Sequence, residues 1–465
     1  MTSWRKRRVG QTDLEITELG LGTGTMAGLF QEVPTDQALA TIELAVESGL
    51  TFYDTSAQYG YGRAEHLLGD GLRARRAGTI VSTKAGRLLR PYAGTESPRD
   101  GWVKPFPFEA VYDYSYDGIM RSHADSLIRL GLASVDILLV HDIGTMAHGE
   151  RQNAIYWEQL ASGGYRALTE LKAKGSINAI GLGVNEWAVL MDAFALGHWD
   201  VFLLAGRYTL LEQTALDPLL STCVARGTSV ICGGPFNSGA LMGTGIWNYA
   251  AAPRAIIDRV AALDRVCRDH GVPMGAAALQ FPLAHPAICT VLPGPKSPEE
   301  LRGILDWWNT PIPQSFWSAI ADAGLVEPGT PLPGATQRPP RVFNSGATRA
   351  KDRKMADVAH VDERLKQLPE KIEKWRADAV TLRKETETLG AMDVPDEERL
   401  VAIEGTAGEL YQEIDALKQT LSDIASISPA AAGELAPVSE TLHLLLLEIT
   451  ELGTKLYSKR SGLAV

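Results

Sequence analysis

The 465-residue chain lacks the features that mark secreted, membrane and nucleic-acid-binding proteins. The longest apolar run, near residues 442–447, is far too short to cross a bilayer. The basic start, MTSWRKRRVG, is followed by no apolar stretch, so a signal peptide is not expected. Cysteine is scarce and shows no paired spacing, which indicates neither a disulfide framework nor a metal site. The four cysteines are Cys223, Cys232, Cys267 and Cys289. Together these absences predict a cytoplasmic protein without a structural metal.

The chain also lacks an excess of positive charge. Lys and Arg number 45 against 56 Asp and Glu, which gives a formal net charge of −11. A surface of this sign repels phosphate backbones and anionic lipid, so neither nucleic acid nor a membrane is expected as a partner. Hydrophobic residues make up 45% and charged residues 22%, a composition typical of globular proteins. The length predicts more than one domain.

Short apolar segments rich in β-branched residues alternate with amphipathic segments through the N-terminal part of the chain. Eight strands are predicted at 18–22, 51–54, 80–84, 135–141, 179–184, 202–207, 229–233 and 288–292. Helices are predicted between them at 36–47, 64–74, 118–130, 165–174, 187–194, 218–226 and 253–270. This alternation predicts parallel βαβ units of the α/β class, and eight such units close into a (β/α)8 TIM barrel. An open doubly wound sheet is the alternative, but no GxGxxG fingerprint follows the first strand.

Two connections, 85–117 and 142–164, are predicted as unusually long loops on the barrel's active face. Loops of this length are uncommon unless they are functional. The first is rich in aromatic residues, and we interpret it as a wall of the substrate pocket. The alternative is a surface loop held by its own aromatic cluster. Candidate pocket residues are Trp102, Tyr114 and Asp142.

The C-terminal part of the chain differs in kind from the predicted barrel domain at 1–327. Residues 328–349 are rich in Pro, Gly, Thr and Ser, the composition of a linker. Residues 350–465 then carry three segments with apolar residues at alternating spacings of three and four. This pattern predicts an all-α three-helix bundle or coiled coil, which would serve homo-oligomer formation or docking of a partner.

Polar residues suited to proton transfer follow three of the predicted strands: Asp54 and Tyr59, Lys84, and His141. The carboxyl ends of parallel strands meet at one edge, where TIM barrels build active sites. A nearby ammonium group is expected to lower the pKa of a phenol, and a carboxylate would hold that ammonium in place. The phenol then exchanges a proton with a carbonyl or alcohol, while the histidine orients the same oxygen. This set predicts hydride chemistry with a nicotinamide cofactor.

Three motifs resemble the aldo-keto reductase family: YDTSAQYGYGRAEHLLGDGL (53–72), VSTKAG (81–86) and DILLVHD (136–142). The resemblance implies that Tyr59 is the acid/base, that Lys84 and Asp54 tune it, and that His141 orients the substrate. Further segments resemble the aldose 1-dehydrogenase branch, which includes D-threo-aldose and pyridoxal 4-dehydrogenases: 108–131, 181–187, 203–213 and 233–241. That branch oxidises C1 of an aldose, or a similar cyclic hemiacetal such as pyridoxal, to a lactone. The segment from residue 328 onward lies outside the resemblance.

The resemblance implies a bound NAD or NADP, with NAD favoured. Where most members carry a Ser-Asn pair after strand five, this chain has Gly183-Val184-Asn185. The helix that follows strand eight is expected to favour the cofactor phosphate at its N-terminus. Lys296 and Arg302 would meet a 2′-phosphate or remain solvated. The candidate cofactor residues are Gly22, Thr23, Asn185, Gly233, Pro235, Phe236, Asn237, Gly239, Gly294, Lys296, Ser297 and Arg302.

The sequence is compatible with three functions. The first is an NAD(P)-dependent dehydrogenase of aldoses or of pyridoxal-like hemiacetals. The second is an NADPH-dependent carbonyl reductase that uses the same residues in the opposite direction. The third is a cofactor-binding interaction protein that senses redox state and docks a partner through its helices.

Overall fold

The computed structural model describes residues 4–94, 99–334 and 368–390, together with Thr406, Leu410, Ile414, Thr441 and Leu442. The chain divides into two compact units, residues 1–336 and 337–465. The predicted linker at 328–349 lies mostly outside the described residues, so its limits stay a prediction.

Eight parallel strands form the sheet at the centre of the first unit. They are β3 (Leu21–Gly22), β4 (Phe52–Asp54), β5 (Ile80–Ala85), β8 (Ile137–His141), β9 (Ala179–Val184), β10 (Val201–Ala205), β11 (Ser229–Gly233) and β14 (Ile288–Leu292). Their order in the sheet is β14-β11-β10-β9-β8-β5-β4-β3. Leu19 pairs with Val291 and joins the two ends of the order. Every residue of β8 and β9 is buried, because helices cover the outside while side chains fill the inside. The predicted TIM barrel is confirmed.

Helices surround this barrel, and a short antiparallel hairpin, β1 (Lys6–Arg8) with β2 (Glu15–Thr17), precedes it. The helices of the first unit are α1 (Thr35–Glu47), α2 (Arg63–Leu72), α3 (Tyr116–Leu130), α4 (Thr145–Gln159), α5 (Tyr165–Ala173), α6 (Ala188–Ala193), α7 (Ser221–Arg226), α8 (Arg254–Asp269), α9 (Met274–Gln280), α10 (Pro298–Asn309) and α11 (Gln314–Asp322). A second hairpin, β12 (Ile246–Trp247) with β13 (Ala250–Ala251), follows β11.

The two connections predicted as loops are structured instead. Residues 85–117 contain an antiparallel hairpin of β6 (Arg87–Pro91) and β7 (Phe108–Tyr112). Residues 142–164 contain α4, which buries none of its residues fully. A helix without a fully buried face lacks the apolar period that marks most helices in a sequence. The hairpin was missed because its strands lie too far apart in sequence for a tight-turn signal to link them.

In the second unit the structure describes one long helix, α12 (Leu368–Gly390). Trp375, Ala379 and Leu382, which occupy predicted heptad positions, are buried on it. Heptad positions Leu410, Ile414 and Leu442 are helical and buried as well. The rest of the second and third predicted helices lies outside the described residues. Within the described ranges, no helix combines the length and apolarity needed to span a bilayer.

Candidate active site

The carboxyl edge of the barrel brings together the polar residues that end three neighbouring strands. Strand β4 pairs with β5, and β5 pairs with β8, so Asp54, Lys84 and His141 arrive side by side. Tyr59 follows β4 in the adjoining loop. Its ring centroid lies 5.6 Å from Lys84 Nζ and 5.8 Å from the His141 ring. The four residues that the sequence predicted to act together therefore form one cluster.

Lys84 and Asp54 form a buried ion pair, each with a side-chain exposure of 2%. The Lys84 ammonium donates to Asp54 Oδ1 at 2.6 Å and to the carbonyl oxygen of Thr55 at 2.9 Å. The Ser82 hydroxyl donates to the same carboxylate oxygen. Two buried charges require this degree of hydrogen bonding because neither reaches water. The ammonium is thus held at a fixed place beside the Tyr59 ring.

The expectation that this lysine lowers the pKa of Tyr59 is not met in the structure. Burial raises the Tyr59 pKa well above its ordinary value, and the negative charges of Asp54 and Asp142 raise it further. The positive charge of Arg87 opposes this rise. The phenol is therefore a neutral proton donor in this state.

His141 is held from two sides in a neutral form. Its Nδ1 lies 3.0 Å from Ser56 Oγ, and its backbone oxygen accepts a 2.7 Å hydrogen bond from the Tyr114 hydroxyl. Burial lowers the His141 pKa well below its ordinary value, and the positive charges of Arg87 and Lys84 add to this effect. Its Nε2 faces Asp142 Oδ2 at 3.3 Å. Sequence reasoning missed Ser56, which lies 85 positions from His141.

Arg87 is a second residue that sequence reasoning missed. It starts β6, is 8% exposed, and donates to Asp142 Oδ2 at 2.5 Å. Its guanidinium lies 5.1 Å from the centroid of the Tyr112 ring. The only signal for it in the sequence was its position three residues after Lys84.

The three predicted pocket residues occupy different places. Asp142 retains a side-chain exposure of 20%, and Trp102 stacks at a tilt beside Tyr59 with 5.8 Å between ring centroids. Tyr114 has 0% exposure, and its hydroxyl also bonds His148 Nε2 at 2.9 Å. This corrects the prediction that Tyr114 lines the pocket. Its hydroxyl bonds the backbone oxygen of His141, so the buried side chain supports the end of β8.

The ends of β10 and β11 form a floor without side chains, which suits a flat ring. Gly206 and Gly234 both adopt left-handed backbone angles, with φ of 72° and 57°. A Cβ on Gly234 would find the backbone nitrogen of Gly206 at 3.9 Å, and a Cβ on Gly206 would find only Asn237 Nδ2, at 3.6 Å. Such a surface lets a planar nicotinamide approach the backbone closely. The residues present therefore fit a dinucleotide along this edge.

Several predicted cofactor residues use their side chains or backbone within the protein. Thr23 Oγ1 donates to the Asp54 carbonyl oxygen, and Gly22 N donates to the Pro293 oxygen. Asn237 is 3% exposed and bonds Thr209, Gly206 and Glu212 through its amide. This corrects the expectation that the Asn237 side chain is free for a cofactor. Gly233 is the last residue of β11, and Gly239 lies in a short 3-10 helix over Asn237–Met242. The remaining candidates on this side lie in loops at the strand ends: Asn185, Pro235, Phe236 and Gly294.

Charges near the N-terminus of α10 are already paired. Ser297 accepts a 3.2 Å hydrogen bond from the Glu300 backbone nitrogen and so caps the helix. Lys296 pairs with Glu300 at 3.1 Å, and Arg302 pairs with Glu299 at 3.3 Å. A 2′-phosphate at this place would meet two carboxylates as well as two cations.

A TIM barrel with a tyrosine, a buried Lys–Asp pair and a neutral histidine at its carboxyl edge defines a class of nicotinamide-dependent oxidoreductase. The aldo/keto reductase family model matches residues 18–324. The chain belongs to the aldo/keto reductase family, and it is an enzyme that acts on small carbonyl compounds with a nicotinamide cofactor.

Characterised relatives match nearly their full length. A pyridoxal 4-dehydrogenase from Microbacterium luteolum is 43% identical over 69% of this chain and 98% of its own. A D-threo-aldose 1-dehydrogenase from a Pseudomonas species is 34% identical over 67% of this chain and 95% of its own. The solved structure of an aldo-keto reductase from Bacillus halodurans aligns with a TM-score of 0.54 at 23% identity. It covers 70% of this chain and 97% of its own, and it supports the fold alone.

Proposed function

We propose that this enzyme oxidises the hemiacetal carbon of an aldose or of a pyridoxal-like compound to a lactone, with NAD as the cofactor. The observation that carries the proposal is the cluster of Tyr59, His141 and the Lys84–Asp54 pair at the barrel mouth. The similarity to a pyridoxal 4-dehydrogenase and an aldose 1-dehydrogenase supports the choice of substrate class.

Each residue of the cluster has a distinct part in this reaction. A nicotinamide bound at this edge would supply the acceptor for the hydride that leaves the hemiacetal carbon. His141 donates from Nε2 to the reacting oxygen and orients it, while Tyr59 receives the proton that this oxygen loses. Since the buried phenol is neutral, it must itself first lose a proton before it can act as the base. We therefore expect the oxidation rate to rise with pH.

NAD is favoured over NADP by the charges around α10. Lys296 and Arg302, the two cations expected near a 2′-phosphate, each already pair with a carboxylate. A dianionic phosphate would have to compete with Glu299 and Glu300, whereas the ribose hydroxyls of NAD would donate to them. On this basis we expect kcat/KM to be higher with NAD than with NADP.

The proposal is tested by following reduction of NAD and of NADP with L-fucose, D-arabinose, L-galactose, L-glucose and pyridoxal. We expect at least one of these compounds to be oxidised, with NADH formed faster than NADPH. Tyr59→Phe should lower kcat by about 100-fold or more, because it removes the proton-transfer group. Tyr165→Phe is the control, since among the described residues its hydroxyl donates to the backbone oxygen of His198 and to no member of the cluster. Unchanged turnover in Tyr59→Phe would contradict the proposal.

A second candidate is reduction of aldehydes or ketones with NADPH. It is favoured by one observation, the neutral state of Tyr59, because a phenol that keeps its proton is ready to protonate a carbonyl oxygen. If NADPH is consumed with simple aldehydes while none of the five hemiacetals reduces either nucleotide, this second function replaces the first.

A further inference from the structure

The Arg87–Asp142 ion pair lies beside Tyr59 and His141 but has no part in moving the hydride or the proton. Asp142 Oδ2 contacts Arg87 at 2.5 Å and His141 Nε2 at 3.3 Å. The charge on Arg87 acts on both Tyr59 and His141, so the guanidinium lies close to where a substrate reacts. The pair therefore borders the same small volume as the reacting oxygen.

The pair keeps unused hydrogen-bonding capacity. It employs Nη2 of Arg87 and Oδ2 of Asp142, while Nη1 and Oδ1 have no hydrogen-bond partner among the described residues. Nε of Arg87 is buried and also lacks a partner. An unsatisfied buried polar group is destabilising. A buried ion pair adds little net stability to a fold, so it does not offset that cost. We therefore look for a role of Arg87 and Asp142 in binding rather than in stabilising the barrel.

The backbone on both sides is shaped to present this pair. Gly86 has φ of +97° and turns the chain out of β5, so that Arg87 begins the hairpin over the mouth. Asp142 has φ of +45°, a left-handed conformation that is strained for a residue other than glycine. Strain of this kind persists where the surrounding structure holds a side chain in place for binding.

We propose that Arg87 and Asp142 bind a second oxygen of the substrate, next to the oxygen that is oxidised, and so select hemiacetals that carry one. Arg87 donates to this oxygen, and Asp142 accepts its proton when it is a hydroxyl. The second oxygen has two possible sources: the 2-hydroxyl of an aldose and the phenolic oxygen of pyridoxal, which lies ortho to the reacting group. This inference rests on the proposed function.

The selection is measured by comparing D-arabinose with 2-deoxy-D-ribose, which differ only by the 2-hydroxyl. We expect the native enzyme to prefer D-arabinose in kcat/KM by about 100-fold or more, because the deoxy sugar leaves the charged pair without its partner. In Arg87→Met the preference should fall below about 10-fold. Arg90→Met is the matched control, because Arg90 lies on the same hairpin but is exposed and pairs with Glu109.

Asp142→Asn separates the two sources of the oxygen. A 2-hydroxyl donates to the carboxylate, so this variant should lose most of the preference for D-arabinose. A phenolate has no proton to donate and is repelled by the carboxylate, so Asp142→Asn should keep or increase the preference for pyridoxal over 3-deoxypyridoxal. Arg87→Met should remove the preference for either oxygen.

A single variant leaves one buried charge alone, so the double variant Arg87→Met/Asp142→Asn is measured too, with thermal unfolding as the check on folding. It should fold and show no preference for the second oxygen. The variants could instead lose kcat/KM equally for the substrate that carries the second oxygen and for the one that lacks it. That result would mean that Arg87 and Asp142 only support the fold, and it would overturn the inference. Oxidation of hemiacetals by the native enzyme without regard to the second oxygen would overturn it while leaving the proposed function intact. If no hemiacetal is oxidised, both fall.

Discussion

At the scale of single residues, Ser56 and Asp142 lie against the two ring nitrogens of His141. Ser56 Oγ accepts a 3.1 Å hydrogen bond from the Gln58 backbone nitrogen and lies 3.0 Å from His141 Nδ1. Because the carboxylate of Asp142 lies at Nε2 and can only accept, we infer that the neutral ring carries its proton on Nε2 and that the Ser56 hydroxyl donates to Nδ1. Nε2 is the nitrogen that faces Asp142, so this tautomer gives the site a donor on its open side.

Replacing Ser56 with alanine tests this assignment. Without the hydroxyl the neutral ring is free to take either tautomer, and we expect kcat to fall about 10-fold, the value of one hydrogen bond. Nitrogen-15 NMR of labelled histidine should show a single Nε2–H form of His141 in the native protein and a mixture in Ser56→Ala. Ser126→Ala, equally buried but on α3, should leave both readouts unchanged. An unaltered His141 spectrum in Ser56→Ala would contradict the assignment.

The polar residues that end the strands were accessible from the sequence, and those that act through long-range contacts were not. Lys84 and His141 each close an apolar run, which is a local pattern. Ser56 and Arg87 have no such mark, because their importance comes from His141 and Asp142, each more than fifty positions away. Whether Tyr114 faces a ligand or the core depends on burial, which a single sequence does not give.

At the scale of elements, the junction between β5 and β6 accepts only glycine. Gly86 has φ of +97°, and a Cβ at this position would lie 2.4 Å from the Tyr114 ring. The same short turn separates the ion-paired Lys84 from Arg87. The close approach of the Gly86 backbone to the Tyr114 ring thus sets the direction in which the β6–β7 hairpin leaves the barrel.

Gly86→Ala should therefore destabilise the barrel by about 2–4 kcal/mol, from backbone strain together with the forced shift of Tyr114. The measurement is the free energy of unfolding in urea. Gly303→Ala is the control, since its Cβ would meet nothing within 4 Å in α10, and alanine there should stabilise by up to about 1 kcal/mol. Similar unfolding midpoints for the two variants would show that the turn at Gly86 tolerates a side chain.

At the scale of the whole molecule, every residue of the candidate site lies within the unit at 1–336. The other unit contributes apolar heptad positions, of which Trp375, Ala379 and Leu382 are buried on α12. We propose that this unit serves assembly, whereas the chemistry belongs to the barrel.

A chain that ends after Gly346 tests this division of labour. We expect turnover per barrel to remain largely intact, because the site keeps all its residues, and the oligomeric mass to fall, because the heptad helices are gone. Size-exclusion chromatography with light scattering gives the mass, and the assay with the best hemiacetal gives turnover. An unchanged mass together with lost activity would reverse the assignment.

The barrel and the residue types at its carboxyl edge could be predicted from the sequence, because both follow from local patterns: apolar runs of strand length, helical periods between them, and a polar residue where a run stops. The raised pKa of Tyr59, the contacts of the His141 ring and the pairing of Arg87 with Asp142 became visible in the folded chain. These properties depend on burial and on distances between residues far apart in the chain, and electrostatic energy changes steeply with both.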